Sequence, residues 1–297
     1  MMFHRGRIWH HLAVWCLAVP LGWSANQSPQ TELPKDANQL VRQTVNNELK
    51  ADRSTQLYTF TFVKVKPNRT ETQQVVQTSS GSVARLILID GKPITADQRA
   101  KEDQRLQRLV ADPSAMAAKK KDQDADTKRS IEMVKAMPDA FLYEYASPSI
   151  QDKEPWGQVA VLTFKPNPNF DPPNQETKVY RGMSGTMYIE LKDMRLAKID
   201  AKIFKEVAFG WGVLGHLDPG GAFLVEQQRV YGNHWDATHM VLNFTGKILL
   251  FKTLKIRDDE YTKNYRPVSD MSVASALDYL RKTEIEMAQT ASDKNSR

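Results

Sequence analysis

The sequence predicts an α+β protein built on one large, curved antiparallel sheet of about ten strands, with helices packed on it. Segments rich in aromatic and β-branched residues follow one another through short connections of turn-forming residues, which is typical of antiparallel neighbours. The helical crossovers that a parallel sheet requires are missing between these segments. The strands are expected at residues 57–66, 70–78, 82–89, 141–145, 158–165, 186–191, 196–207, 222–231, 238–246 and 248–257.

The first 25 residues have the pattern of a secretory signal peptide. Arg5 and Arg7 precede an apolar run over 12–23, and small residues follow at a cleavage position. The run contains Pro20 and is shorter than the roughly 20 residues that a membrane-spanning helix needs. We therefore expect an exported, periplasmic protein that is cleaved after residue 24 or 25.

Composition excludes several classes of function. The only cysteine, Cys16, lies inside the predicted signal, so the mature chain has no thiol for a disulfide, a nucleophile or a metal–thiolate site. The whole chain has 41 basic and 35 acidic residues, a formal net charge of +6. This excess is too small to indicate a nucleic-acid partner.

The single sheet domain is expected over residues 35–268, after a polar leader at 26–34. Its first element is predicted to be an amphipathic helix that needs a surface to lie on, and strand 57–66 follows directly. The apolar stripe of this helix, at three- and four-residue steps, comprises Ala37, Leu40, Val41, Val45 and Leu49.

Residues 95–137 are predicted to be a charged helical insertion, for which Thr95 is a candidate N-cap. Three lysines at 119–121 and acids at 122, 124 and 126 form opposed blocks of charge. The insertion is interpreted either as a solvated excursion with a mobile tip or as a basic docking patch.

A second helix is expected near the C-terminus, in the region 269–297. Val273, Leu277, Leu280 and Met287 have heptad-like spacing, which favours a short helix packed on the sheet or its rim. Residues 288–297 are polar, and we expect them to fray.

The candidate chemical groups indicate no catalytic residue, metal site or cofactor. His234, Asp236 and His239 are close in sequence, but on one extended strand the first two share a face and the third points away. No nucleophile elbow, Gly-rich phosphate loop or paired-carboxylate motif is present in the sequence. An enzyme, such as a hydrolase, is therefore the least favoured class.

An excess of apolar residues suggests a ligand site. Strand 57–66 has bulky apolar side chains on both faces, among them Phe60, Phe62 and Val63. A strand with one face in solvent would instead alternate apolar and polar residues. The predicted helices would cover one of these two apolar faces. If the sheet and its helices do not fill the space between them, an apolar cavity suited to an acyl chain remains. The alternative is a fully packed core, and composition does not distinguish the two.

A second unusual segment covers residues 207–217. Large apolar side chains, including Phe209, Trp211 and Leu214, are spaced by glycines. This pattern predicts an apolar lid or a wedge that touches a membrane surface transiently. A bent strand with inward aromatic residues is the alternative.

Three local patterns carry a resemblance to a known family. An amphipathic helix precedes Leu57-Tyr58-Thr59-Phe60, the strand 185–190 is followed by the strand 196–200, and Asn233-His234-Trp235-Asp236 precedes a late strand. With the export signal, the chain resembles the bacterial outer-membrane lipoprotein-sorting superfamily of periplasmic carriers and acceptors. The resemblance implies a half-barrel with helices on its concave face.

Our leading hypothesis is an exported, non-enzymatic protein of the cell envelope that binds or carries a lipid or the acyl chain of a lipoprotein. The alternative is an interaction or sensor module with a filled core, whose charged insertion binds an envelope protein partner. The candidate ligand-binding residues, in the cavity or the lid, are Tyr58, Phe60, Phe62, Met187, Ile189, Phe209, Trp211 and Leu214.

Overall fold

The computed structural model describes residues 32–51, 55–209, 215–248 and 252–295. The predicted signal peptide and most of the leader lie outside these ranges. Residues 33–297 form one compact unit, and its class is α+β, as the sequence predicts. No helix among the described residues is long and apolar enough to cross a membrane.

The described residues form four α-helices and a 3-10 helix. A capping box starts the second α-helix, because Thr95 Oγ1 accepts from the Gln98 amide and Gln98 Oε1 accepts from the Thr95 amide. This confirms Thr95 as an N-cap. The fourth helix continues beyond the point where the polar composition predicts fraying. The helices are α1 (Ala37–Ala51), α2 (Ala96–Ala111), α3 (Pro113–Ala140), the 3-10 helix (Glu176–Gly182) and α4 (Val273–Asn295).

All strand pairs are antiparallel, and the described strands form one open sheet with β4 and β5 at its edges. The order is β4-β3-β2-β1-β13-β12-β11-β8-β7-β6-β5, and the short pair β9–β10 attaches to β12. The strands are β1 (Leu57–Lys66), β2 (Arg69–Val76), β3 (Val83–Ile89), β4 (Lys92–Pro93), β5 (Phe141–Lys153), β6 (Gly157–Pro166), β7 (Met183–Glu190), β8 (Arg195–Ile203), β9 (Val207–Phe209), β10 (Gly215–Leu217), β11 (Ala222–Tyr231), β12 (His234–Ile248) and β13 (Lys252–Val268).

The last two strands are longer than predicted. β12 begins at His234 rather than at the predicted residue 238, and β13 continues to Val268 through charged residues. The extra part of β13 is held by its ladder with β1, in which Leu57 lies opposite Val268. The long-range pairing therefore outweighs the weak local strand propensity of this polar segment.

The apolar side chains divide mainly between two cores. The large core contains α1, the end of α3, and strands β5 to β8, with Leu162, Met187 and Ile189 among its fully buried members. The small core lies where α2, the start of α3 and α4 meet β2 and β3. Its buried residues are Val76, Val83, Leu106, Met116, Ala276, Leu277 and Leu280.

Register shows which face of β1 is directed to the large core. Lys64 binds Asp258, and Asp258 lies directly opposite Leu242, which packs against the large core. Since cross-strand neighbours share a face, Lys64 and the other even-numbered residues of β1 lie on the large-core face.

The small core lies on the opposite face. Thr61 lies three residues before Lys64 in β1, so its side chain points to the opposite face. It bonds to Gln74 of β2, which lies opposite Arg85 of β3, so all three side chains share that face. The side chain of Arg85 is 2% exposed and binds Asp103 of α2 (Nη1–Oδ1, 2.8 Å) and Glu284 of α4 (Nε–Oε2, 2.6 Å). The helices therefore cover both faces, which differs from the prediction of helices on one concave face. The physical reason is that the buried guanidinium needs carboxylate partners, and α2 and α4 supply them.

Candidate functional site

Two of the predicted ligand-binding residues are part of a packed core. Met187 and Ile189 on β7 are 1% and 0% exposed, and both contribute to the large core beneath α1 and the end of α3. The cavities of about 350 to 690 Å³ in the described part of the chain have other linings. Met187 and Ile189 are therefore enclosed by the core and do not line any of these cavities.

Two of the predicted residues of β1, Tyr58 and Phe60, belong to an aromatic cluster. Tyr58 stacks on His234 with ring centroids 4.3 Å apart, and Phe60 stacks on Tyr265 at 4.9 Å. Burial first, and then the charge of Asp236, raise the pKa of the Tyr265 phenol well above its ordinary value. The phenol is therefore neutral at physiological pH. The pairing of β1 with β13 brings these rings together, which local patterns did not reveal.

Phe62 lies two residues beyond Phe60 on the same face and is half-buried. Beside it on this face, Lys64 Nζ binds Asp258 Oδ1 at 2.6 Å and Glu260 Oε1 at 2.7 Å. Partial burial by itself would lower the pKa of Lys64, but the hydrogen bonds and charges of the two acids raise it. The ammonium group therefore stays charged and forms a polar site on the large-core face.

The large core continues onto the central strands as a set of half-buried apolar residues, which we call the apolar row. Phe223 of β11 lies opposite Leu242 of β12, and residues of β9 and β13 complete the row. The helix α1 packs on β5 and β8, at the other part of the same face. The members of the apolar row are Phe209, Phe223, Leu242, Leu254 and Ile256.

Among the described residues of the predicted lid segment 207–217, Phe209 lies in the apolar row, whereas Val207 and Leu217 are buried in the large core. Phe209 is half-buried in β9 and packs against the large core, while the predicted lid residues Trp211 and Leu214 lie outside the described residues. Asp258 follows Ile256 by two positions on the same face of β13. The row is therefore apolar along its length and ends next to the Lys64 ion cluster.

A polar network fixes α1 over the sheet. Glu48 accepts from Arg195 Nε at 2.8 Å and Nη2 at 2.7 Å, and also from the Leu196 amide. The Arg195 guanidinium lies over the Trp235 ring, whose Nε1 donates to Asp193. This bidentate pair is largely buried, and it anchors the C-terminal part of α1 to the β7–β8 turn.

The histidines do not converge on a metal site. His234 Nε2 lies 3.6 Å from Asp236 Oδ2, whereas His239 faces Asp259 and Glu226. In the ranges that the structure describes, no group of three His, Cys, Asp or Glu residues is arranged to hold a metal ion.

Comparisons with known proteins add no family assignment. No protein-family model, curated protein or solved structure matches the chain. The geometry of the apolar row and the sequence patterns therefore remain as the indications of function.

Proposed function

We propose that this chain is an exported, non-enzymatic protein that binds the acyl chain of a lipid or lipoprotein on the apolar row. The observation that carries the proposal is the continuation of the large core, as half-buried Phe223, Leu242 and Ile256, across the central strands. An acyl chain bound on this row would cover the parts of these apolar side chains that the described residues leave exposed. In this proposal the open sheet acts as a half-barrel.

Burial of methylene groups would supply the affinity. Each buried methylene contributes about 0.8 kcal/mol, so eight of them contribute about 6 kcal/mol before the cost of ordering the chain. The core beneath α1 is filled at Met187 and Ile189, which supports a site on the central strands rather than between helix and sheet. The Lys64 cluster would face the polar end of the ligand, where Asp258 adjoins the row.

Transfer at a membrane surface is supported by the segment next to the row. Phe204 precedes β9 and is 51% exposed, and Lys205 Nζ lies 5.7 Å from the centre of its ring. An aromatic ring beside an ammonium group suits the boundary between lipid and water. We propose that this pair and the segment 207–217 touch the membrane transiently while the acyl chain enters or leaves.

The test compares two half-buried leucines on opposite faces of the sheet. Leu242 belongs to the apolar row, whereas Leu224 lies next to Phe223 in β11 and points to the other face. We expect Leu242→Gln to weaken binding of dansyl-undecanoic acid about tenfold, and Leu224→Gln to leave it unchanged. Fluorescence titration measures the affinity, and thermal unfolding checks that both variants fold.

Native mass spectrometry of the gently purified protein separates this proposal from the interaction module with a filled core. A co-purified lipid that is lost in Leu242→Gln supports the acyl-chain site. No bound lipid, together with equal probe affinity in both variants, favours the alternative, in which the α2–α3 insertion binds an envelope protein. The alternative is supported by the packed core at Met187 and by the ion pairs that hold α2.

A further inference from the structure

A trough lies on the sheet face opposite the apolar row. It has a volume of about 690 Å³ and is formed by β1, β11, β12 and β13. This volume is in the range of small-molecule sites, roughly 300 to 1,000 Å³. Apolar Val63 and Val230 contribute to its walls, but most of its lining is polar or aromatic. None of the predicted ligand-binding residues that the structure describes lines it.

Three register shifts shape this trough. The β11–β12 ladder shifts between Glu226 and Gln227 and again between Arg229 and Tyr231, and the β1–β13 ladder shifts between Thr59 and Thr61. On a regular strand consecutive side chains point to opposite faces, but a bulge directs two in succession to one side. Consecutive residues accordingly line the trough: Arg229 and Val230 of β11, Thr238 and His239 of β12, and Lys263 and Asn264 of β13.

The trough has an aromatic platform. His239 stacks on Tyr261 with centroids 4.2 Å apart and an angle of 8° between the rings. The imidazole is held on both sides, since Nε2 lies 3.1 Å from Asp259 Oδ1 and Nδ1 lies 3.5 Å from Glu226 Oε2. Tyr261 is 37% exposed, so an oriented phenol ring is accessible to a ligand.

Most ionic groups of the trough already have partners. Lys198 binds Glu226 at 2.9 Å, and Asp193 binds Arg229. In the described part of the chain the Gln228 amide makes no hydrogen bond, and Asn264 Nδ2 donates to Thr61 Oγ1 while its Oδ1 makes none. The groups left to recognise a ligand are therefore the neutral amides beside an aromatic ring and the ammonium group of Lys263, which lines the trough and has no ion-pair partner among the described residues.

We propose that this trough binds a neutral saccharide. A sugar ring has an apolar C–H face that can cover the Tyr261 ring, and hydroxyl groups on its edge that can pair with Gln228 and Asn264. A charged ligand would have to compete with the ion pairs of Glu226 and Arg229, whereas a neutral polyol leaves them in place and its hydroxyl oxygens can accept from the Lys263 ammonium. The trough and the apolar row lie on opposite faces of the sheet, so the result of a saccharide-binding test is independent of the acyl-chain proposal.

Saturation-transfer NMR on the mature chain with maltotriose and with chitotriose tests the inference. We expect saturation transfer to at least one trisaccharide, with the strongest signals from C–H protons on one ring face. Tyr261→Ala should weaken binding at least tenfold, and Gln228→Ala should weaken it less. The matched control is Tyr231→Ala, since Tyr231 is 50% exposed, lies at the end of β11 and does not line the trough.

Circular dichroism and thermal unfolding establish that the variants fold. If Tyr261→Ala unfolds, Gln228→Ala and the more conservative Tyr261→Leu provide the same comparison, because both keep the strand pairing. Two outcomes overturn the inference: no transfer to either sugar at millimolar concentration, or binding that is equal in the native protein and in the folded trough variants.

Discussion

Replacing Arg85 with Met tests the ionic link between the sheet and the small-core helices. The native guanidinium is 2% exposed and binds Asp103 and Glu284. Breaking a buried ion pair by removing one partner typically costs 3 to 5 kcal/mol. Both acids keep another cation here, because Arg99 lies 2.9 Å from Glu284 and Arg281 lies 3.5 Å from Asp103. We therefore expect the low end of this range, about 3 kcal/mol of unfolding free energy.

Urea unfolding followed by circular dichroism measures this loss of unfolding free energy. Faster hydrogen exchange of the α4 amides would show that the loss occurs where this helix contacts the sheet. A loss of about 3 kcal/mol corresponds to a decrease in Tm of roughly 6 to 12 °C for a domain of this size. The control is Arg42→Met, because Arg42 and its partner Asp139 are both largely exposed and the pair should contribute less than about 1 kcal/mol. Equal costs in the two variants would refute the role assigned to Arg85.

Two further predictions concern acid stability and close packing. Burial would raise the pKa of Glu102, but hydrogen bonds from Arg105 and the Leu86 amide lower it below 4.5, so this stabilisation is lost as pH falls through the folded-state value. Glu102→Gln should therefore flatten the decrease of unfolding free energy below about pH 4.5, and an unchanged slope would contradict this. A Cβ on Gly185 would lie 2.1 Å from Asp200 O, so Gly185→Ala should cost more than the 1 to 3 kcal/mol that is typical of overpacking. Gly91→Ala, which meets open space at a φ of +73°, should cost only about 1 to 2 kcal/mol in the same denaturation assay, and a reversed order would count against the packing argument.

Local patterns were sufficient to predict much of the fold. The stripe of α1 is buried as expected at Leu40, Val41 and Val45, because a period of three to four residues is a property of one helix alone. The antiparallel sheet also follows from local signals, since short turns join adjacent strands. The extension of β13 does not, because its charged residues form a strand only through their ladder with β1.

The sequence contains only one indication that helices cover both faces of the sheet, and it is ambiguous. Arg85 is one basic residue in the apolar strand VARLILI, and its alternation with Val83 and Ile87 indicates an inward side chain. A buried arginine requires carboxylates, and the acids of the 95–137 region were available. Glu284, however, is 199 residues away in sequence, and no local pattern identifies it.

The candidate sites were predictable only in part. Tyr58 and Phe60 were selected from the composition of one strand, but their stacking partners His234 and Tyr265 come from the strands that pair late in the chain. The trough platform of His239 and Tyr261 likewise depends on the register of β12 with β13 and on the bulges of the neighbouring ladders. Register and bulges follow from the whole sheet, so single-strand patterns could not predict them.

Photo-crosslinking with a diazirine-bearing palmitate tests the central claim most directly, because it maps where an acyl chain lies on the protein. The acyl-chain proposal predicts labelled peptides from β11, β12 and β13, around Phe223, Leu242 and Ile256, with competition by unlabelled palmitate. Labelling confined to β7 around Met187, or no labelling that palmitate competes away, would contradict it.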